Sequence, residues 1–295
     1  YAENSALYLL GAMRIAQAGG TVDRERIADA LDFLETHALD AAFHPPSAKE
    51  GQKDFRSWYD LVAFEDDDCI SYNQGLFAAG LRAAEMLGLS PQTEWTDAAA
   101  VYRGLFNEED GFYPLSRRKQ VLCVDALAGD LMARVLFGES LLPADSVQRH
   151  FARLRRCAWT DYGFKVTCGK DGSYLPGEAY GAAGQLGQSF GDPAHAGSYQ
   201  WGGSWCLYDM LCILDAVAQG AEAAVETAIE RMRIEFHLGG IYHEHIHTRT
   251  GAPCKPGQGW NACVPALWQR LVEAGLADKR FFSEIDRTLQ QVCAR

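Results

Sequence analysis

The chain has 295 residues, of which 48% are hydrophobic and 22% charged, enough apolar material for one large globular domain or two small ones. Its 27 basic and 39 acidic residues leave a net charge of −12, which argues against a nucleic-acid partner and suits a neutral substrate. No apolar run approaches the ~20 residues of a membrane helix, so we expect no membrane contact.

Five segments carry apolar residues almost all the way round a helix, which is typical of helices buried on every side. They cover roughly residues 4–17, 71–87, 121–137, 203–219 and 260–274. Each is followed by a segment whose apolar residues keep to one face, so an outer helix should pack on each inner one. Residues typical of helix starts precede the outer segments: Thr21 or Asp23, Ser90 with Pro91, Pro143 and Ser283.

The lengths of the links predict which end of the molecule holds the site. Links from an inner to an outer helix are short, as at 18–22, whereas most links in the other direction are long: 40–70, 158–202 and 238–259. Long links in compact domains are often functional, and in this alternation they emerge at one end. We therefore predict an all-α fold, a toroid of α/α hairpins, in one domain over residues 1–295.

Ten predicted helices make five hairpins, whereas closed rings of this kind most often contain six. The helical pattern begins abruptly at Tyr1. We therefore expect a further hairpin upstream of Tyr1.

The cysteine and histidine patterns argue against a metal site or a cofactor. Nine cysteines are scattered without zinc-like spacing, and several fall in apolar helical runs, which favours a reducing compartment such as the cytoplasm. His243, His245 and His247 would point to one side of a strand like metal ligands, but Cys254 is the only clear fourth ligand nearby. We expect no metal and no cofactor, and we assign these histidines to hydrogen bonding at the loop-rich end.

Two carboxylates from different long links are candidates for acid–base chemistry on a glycosidic bond. Glu244 is the only acid in the link 238–259; its alternative role is a salt bridge to a histidine or to Arg249. Asp60 follows Ser-Trp-Tyr at 57–59, and these aromatic neighbours would exclude water and raise its pKa. The alternative role for Asp60 is a helix cap or a surface carboxylate.

Aromatic and amide side chains are concentrated where the link 158–202 meets the next inner segment. Tyr199, Gln200, Trp201 and Trp205 lie within seven positions there. Aromatic rings stack on the apolar faces of pyranoses while amides bond the hydroxyl groups, so this combination is typical of a sugar pocket. The alternative for Trp205 is an ordinary core position at a helix start.

At these motifs the chain resembles the six-hairpin glycosidases, a clan that includes the amylo-α-1,6-glucosidase domain of glycogen debranching enzymes, processing α-glucosidase and trehalase. Residues 57–60, Ser-Trp-Tyr-Asp, are similar to the Thr-Trp-Met-Asp of the debranching type, and residues 199–205 resemble its Tyr-His-x-Gly-x-x-Trp. Glu244 precedes a Thr-Gly turn at 250–251 and a Gly-Trp-Asn helix start at 259–261, as the base glutamate of the clan does.

The resemblance implies an (α/α)6 barrel and an inverting glycoside hydrolase that acts on a neutral oligosaccharide or glucoside. Asp60 would be the general acid and Glu244 the general base. Tyr59 replaces a methionine of the pattern and Gln200 a histidine, which leaves the substrate open. The expected residues of the sugar site are Trp58, Tyr59, Asn73, Gln200, Trp205, Tyr208, Trp260 and Asn261.

Three alternatives to a hydrolase remain open from the sequence. The first is a phosphorylase on the same scaffold, in which phosphate takes the place of the base. The second is a polysaccharide lyase that uses Tyr242 or His245, although the acidic balance of the chain disfavours the polyanions that lyases cleave. The third is a non-catalytic toroid that binds a glycan or a protein.

Overall fold

The structure is a computed structural model that describes residues 3–46, 56–59, 62–180, 195–238, 243–257, 259–277 and 279–293. Within these ranges the chain forms ten α-helices, none of which is long and apolar enough to cross a membrane. In chain order they are α1 (Asn4–Gln17), α2 (Arg24–Thr36), α3 (Ser71–Met86), α4 (Trp95–Arg103), α5 (Ala128–Phe137), α6 (Ala144–Cys157), α7 (Cys206–Ala218), α8 (Ala224–His237), α9 (Cys263–Glu273) and α10 (Arg280–Cys293).

Short antiparallel strand pairs tie the long links together. The described strands are β1 (Ala38–Leu39), β2 (Ala42–Phe43), β3 (Leu122–Cys123), β4 (Trp159–Thr160), β5 (Gly163–Phe164), β6 (Thr167–Cys168), β7 (His243–Ile246) and β8 (Pro253–Pro256). Strand β3 pairs with β6, which joins two different long links, and Ile246 of β7 bridges to Ser204 just before α7. The loops at this end of the molecule therefore form one connected layer.

The odd-numbered helices form the inner layer, as the sequence predicts. Helix α1 packs on α3, α3 on α5, α5 on α7 and α7 on α9. The outer helices α2, α4 and α8 pack on the inner helices that precede them, as the sequence predicts. That prediction is wrong for the other two outer helices, because α6 packs mainly on α7 and α10 mainly on α8. All five inner helices begin at the end that carries the long links, which we call the rim.

The two helices at the ends of this series are less buried than the sequence pattern predicts. In α3, 13 of 16 residues are buried, whereas in α1 the apolar side chains Leu7, Tyr8 and Ile15 are 40%, 41% and 50% exposed. The prediction that α1 is enclosed on all sides is therefore wrong for the described chain. Of these three side chains, Leu7 lines an apolar cleft of about 600 Å³ between α1, α5 and α9. The cause is that a helix at the edge of the series has an inner neighbour on one side only.

The predicted helix starts are correct in part. Asp23 caps α2, because its carboxylate accepts hydrogen bonds from the backbone N–H groups of Glu25 and Arg26 at 3.1 and 3.3 Å, and Pro143 stands at the N-cap of α6. Ser90 and Ser283 are not helix starts, since α4 begins at Trp95 and α10 at Arg280. A capping residue type signals a possible start, but packing on the inner layer decides which one is used.

Helices α3 and α5 make the closest backbone approach in the inner layer. A Cβ atom placed on Gly129 of α5 would lie only 2.1 Å from the backbone carbonyl carbon of Gly75 in α3. Gly11 of α1 lies on the open cleft, and a Cβ placed there has no neighbour within 4 Å. A side chain is therefore excluded by close packing at Gly129 but not at Gly11, although both residues belong to inner helices.

We expect opposite effects from the two alanine substitutions at these glycines. Gly129→Ala should lower the free energy of unfolding by about 1–3 kcal/mol or more, because α3 and α5 must move apart. Gly11→Ala, its matched control, should raise that free energy by about 0.5–1 kcal/mol, because alanine favours a helix interior. Urea unfolding followed by circular dichroism measures both. A Gly129→Ala protein as stable as the parent would contradict the packing of α3 on α5.

Candidate active site

The site lies at the rim, where the first turns of the inner helices converge. Glu3 precedes α1, Tyr72 is in the first turn of α3, Asp125 is in a 3-10 turn before α5, and Tyr208 is in the first turn of α7. Burial raises the pKa values of both tyrosines well above the ordinary value, and the charges of Glu3 and Asp125 raise them further. Four separate elements therefore lie within electrostatic reach of one another.

Asp125 is the polar centre of this arrangement. Its side chain is fully buried, and its two carboxylate oxygens accept hydrogen bonds from Trp58 Nε1 at 2.6 Å and from Tyr59 Oη at 2.7 Å. Burial raises the pKa of Asp125 to about 6, and these two donors only partly oppose that effect. Both oxygens of Asp125 are thus occupied by the segment that leads into Asp60.

Glu3 is the second carboxyl group of the site. Burial raises its pKa to about 7; the charge of Asp125 acts in the same direction, and backbone N–H groups of Glu3 and Trp58 oppose it. Glu3 stands at the N-cap of α1, yet its side chain makes no capping hydrogen bond. Its Oε2 atom is buried and has no hydrogen-bond partner. Two close, buried carboxyl groups disfavour simultaneous ionisation, so this pair holds a proton near neutral pH.

Four rings, Trp58, Tyr72, Trp205 and Tyr208, form what we call the aromatic wall. Trp58 stacks on Tyr208 with ring centroids 3.9 Å apart, and it meets Trp205 edge-on at 5.2 Å. Tyr72 meets Tyr208 edge-on at 6.1 Å. Trp205 is 4% exposed at the start of α7, as expected for a core position, and it also belongs to a continuous group of rings next to the two carboxyl groups.

Three predicted amide residues hold backbone segments at the rim. Gln200 Nε2 donates to the carbonyl oxygen of Trp58 at 2.7 Å, and Asn73 Nδ2 donates to that of Arg56 at 2.6 Å, so both fix the segment 56–59. Asn261 Nδ2 donates to the carbonyl oxygen of His243 at 2.9 Å and ties the start of α9 to β7. The Oδ1 atoms of Asn73 and Asn261 are buried and have no hydrogen-bond partner, which leaves each amide one acceptor.

Glu244 lies on β7, on the other side of Trp205. Its carboxylate is almost buried, and Oε2 is 3.1 Å from Lys255 Nζ on β8 and 3.3 Å from His245 Nδ1. Burial and the Lys255 charge lower the pKa of His245 to about 4, so this histidine is neutral and only the lysine forms an ion pair. The His245 ring stacks on Trp205 with centroids 5.4 Å apart. Glu244 is thus connected to the aromatic wall through His245. It also forms an ion pair, which was the alternative to its predicted catalytic role, but the partner is Lys255 rather than Arg249.

Several predicted residues cannot be placed in the site. Asp60 lies outside the described residues, as does Tyr242 of the lyase alternative. The backbone of Trp260 is in the 3-10 turn Gly259–Ala262, and its side chain is outside the description. In the described part of the chain, no group of three or more His, Cys, Asp or Glu side chains is arranged to hold a metal ion. His245, one of the three histidines considered as metal ligands, stacks on the ring of Trp205.

The sequence interpretation missed Glu3 and Asp125. A signal for Asp125 was present, because an acidic residue in an otherwise apolar inner segment must be buried. That signal is not specific, since Asp130, Asp209 and Asp215 share it and are equally buried. Glu3 stands directly before the first helix, where the sequence shows nothing unusual. Only its surroundings in the fold distinguish it from an ordinary residue at a helix start.

The pKa of Glu3 predicts how stability depends on pH. Because its folded pKa of about 7 lies above the ordinary value of 4.5, the folded protein binds more protons than the unfolded chain between these pH values. Its contribution to stability is therefore lost as pH rises through that window. The Glu3→Gln protein does not lose this contribution. As pH rises from 4.5 to 8, we expect its free energy of unfolding to rise by on the order of 1–3 kcal/mol relative to that of the parent.

Urea unfolding at several pH values measures this difference. Glu25→Gln on the exposed face of α2 is the matched control and should show a much smaller change. A Glu3→Gln difference that stays constant with pH would mean that Glu3 ionises in the fold as it does in the unfolded chain.

Comparisons with known proteins identify the fold. Neither a scan against protein-family models nor a search of curated proteins finds a match to this chain. Among solved structures, Rex8A from Paenibacillus barcinonensis complexed with xylose matches with a TM-score of 0.55 and 10% identity, over 98% of this chain and 74% of that one. A reducing end xylose-releasing exo-oligoxylanase matches with a TM-score of 0.52 and 10% identity, over 98% and 73%.

A weaker match is the GH63 mannosylglycerate hydrolase from Thermus thermophilus in complex with glucose. Its TM-score is 0.43 at 14% identity, over 68% of this chain and 48% of that one. The chain thus spans less than half the length of that hydrolase, and a likeness at this score supports no conclusion. The likeness to Rex8A shows that the chain has the α/α-barrel fold of such glycoside hydrolases, as the sequence predicts.

Proposed function

We propose that this protein is an inverting glycoside hydrolase that acts on a neutral oligosaccharide. The observation that carries the proposal is a pair of buried carboxyl groups, Glu3 and Asp125, set against an aromatic wall at the loop-rich end of an α/α barrel. Carboxyl groups beside stacking rings are what cleavage of a glycosidic bond needs. The xylose complex of Rex8A, which shares the fold, supports a neutral sugar as ligand.

The reaction needs one carboxylate that activates water. Glu244 is our proposal for this base, because it is nearly buried, lies beyond Trp205 from the other carboxyl groups and is paired with Lys255 on one oxygen. In an inverting enzyme the two carboxyl groups stand roughly 6.5–9.5 Å apart, with the water and the sugar between them.

The reaction also needs a carboxylic acid that protonates the leaving oxygen. The resemblance to six-hairpin glycosidases proposes Asp60, which follows directly on the segment held by Asp125. Glu3, whose carboxyl group is buried and contacts the backbone of Trp58, is a competing candidate for the proton donor.

Removal of the base should abolish turnover without unfolding the protein. We expect Glu244→Gln to lower kcat for oligosaccharide hydrolysis ~10²–10⁴-fold, the usual contribution of a general base. Added azide should restore cleavage by taking the place of water, and it should yield a glycosyl azide. Glu222→Gln, in the exposed link at the opposite end of the barrel, is the control and should keep parental activity. Full activity in Glu244→Gln would remove this residue from the mechanism.

The stereochemistry of the product tests inversion independently of any mutation. Proton NMR during the first minutes of hydrolysis should show a new hemiacetal with the anomeric configuration opposite to that of the bond cleaved. Retention would require a covalent intermediate on a carboxylate and would contradict Glu244 as a base.

The products formed from oligosaccharides also distinguish a hydrolase from the three alternatives. A phosphorylase would turn over only with added phosphate and release a sugar phosphate. A lyase would release a product that absorbs ultraviolet light. A non-catalytic toroid would bind oligosaccharides, measured by calorimetry, without cleaving any of them.

A further inference from the structure

We propose that Glu3, rather than Asp60, donates the proton to the leaving group in the hydrolysis proposed above. The proposal rests on that function and names a residue that the sequence pattern does not mark. The observations that support it are the unused carboxylate oxygen of Glu3, the occupied oxygens of Asp125 and the way both groups hold Trp58.

Glu3 stands at the N-cap of α1 but does not cap this helix. Its side chain makes no hydrogen bond to the first turn, which is what a capping side chain would do. An arginine or lysine partner would explain a buried carboxylate, but no ion pair of Glu3 is found in the described part of the chain. Burying an unpaired polar atom costs free energy, so an unpartnered Oε2 indicates a partner that arrives with the substrate.

The surroundings of Glu3 and Asp125 determine which of the two carboxyl groups is protonated. Asp125 accepts from Trp58 Nε1 and Tyr59 Oη, and hydrogen bonds of this kind favour the charged form. Asp125, Tyr72 and Tyr208 act on Glu3 from neighbouring elements. The positive charge of the chain's N-terminus also acts on Glu3 and lowers its pKa, but burial outweighs that charge. The negative charge therefore belongs on Asp125 and the proton on Glu3. A neutral carboxylic acid at the pH of the cell is what a general acid must be.

Glu3 also lies next to the aromatic wall. A backbone N–H of Trp58 contacts the Glu3 carboxyl, while the indole of Trp58 bonds Asp125 and stacks on Tyr208. Glu3 is therefore held beside Trp58 at one edge of the aromatic wall. Glu244 lies beyond the other edge, past Trp205 and His245.

In the proposed step Glu3 transfers its proton to the glycosidic oxygen while the bond from that oxygen to the anomeric carbon breaks. The bonding electron pair stays with the leaving oxygen, which departs as a hydroxyl. Water adds its oxygen to the anomeric carbon and gives one proton to Glu244. Glu244 then releases that proton to solvent, and Glu3 takes one up, so the net reaction consumes one water molecule.

Leaving-group dependence distinguishes a proton donor from a merely structural residue. We expect Glu3→Gln to lower kcat/KM ~10²–10⁴-fold for oligosaccharides, whose leaving alcohol needs a proton. The same variant should keep nearly parental kcat/KM for 2,4-dinitrophenyl glycosides, whose leaving group needs none. The fall in oligosaccharide activity on the basic side of the pH profile should also disappear. Glu3→Asp, which keeps the acid but shortens its reach, should lie between Glu3→Gln and the parent.

Asp60→Asn is the competing assignment and is measured alongside. If Asp60 only contacts the sugar, Asp60→Asn lowers kcat/KM for oligosaccharides and for 2,4-dinitrophenyl glycosides by the same factor. The proposal is overturned if Asp60→Asn lowers kcat/KM for oligosaccharides alone, or if Glu3→Gln lowers kcat/KM equally for both kinds of substrate. A parent protein that cleaves no glycoside overturns the proposed function itself, which is a separate outcome because it is seen before any substitution.

Discussion

The hydrogen bonds from Trp58 and Tyr59 to the buried carboxylate of Asp125 are the interaction on which the rim depends. A carboxylate taken out of water is stable only if its oxygens are satisfied, and here the donors come from a loop rather than from a neighbouring helix. The amides of Gln200 and Asn73 fix the same loop from the outside. One segment of four residues is therefore held from three other parts of the chain, which places an indole and a phenol against the carboxyl group of Asp125.

The other buried acids of the inner helices show how a structural carboxylate differs. Asp209 pairs with the fully buried Arg231 at 2.6 Å, and Asp130 accepts the backbone N–H groups of Leu141 and Leu142. Each of these two groups is held by a donor from another element, although Asp209 Oδ1, like Glu3 Oε2, is buried and has no hydrogen-bond partner. Asp125 accepts from two aromatic side chains and also interacts with Cys123. Its aromatic donors, not its burial, distinguish Asp125 from Asp130 and Asp209.

The barrel architecture explains why the site lies where it does. Inner helices that all begin at the rim present their N-terminal ends there, and the partial positive charge of a helix N-terminus stabilises nearby carboxylates. Strand β3 pairs with β6, and Ile246 of β7 with Ser204, so the loops that carry the aromatic wall and Glu244 are bonded to one another. The helical layers supply a rigid support, and the loop layer supplies the chemistry.

Local pattern was sufficient to predict the alternation of inner and outer helices, the loop-rich end and the aromatic residues near the site, because burial imposes a helical period on each segment by itself. It was insufficient for the exposed side of α1, the starts of α4 and α10, and the partners of Glu244. Each of these depends on which neighbour packs against a segment. Glu3 and Asp125 show the limit most clearly: 122 positions separate them in the chain. Whether an acid is a cap, an ion-pair partner or a proton donor is set by the groups around it, and only the tertiary structure brings those groups together.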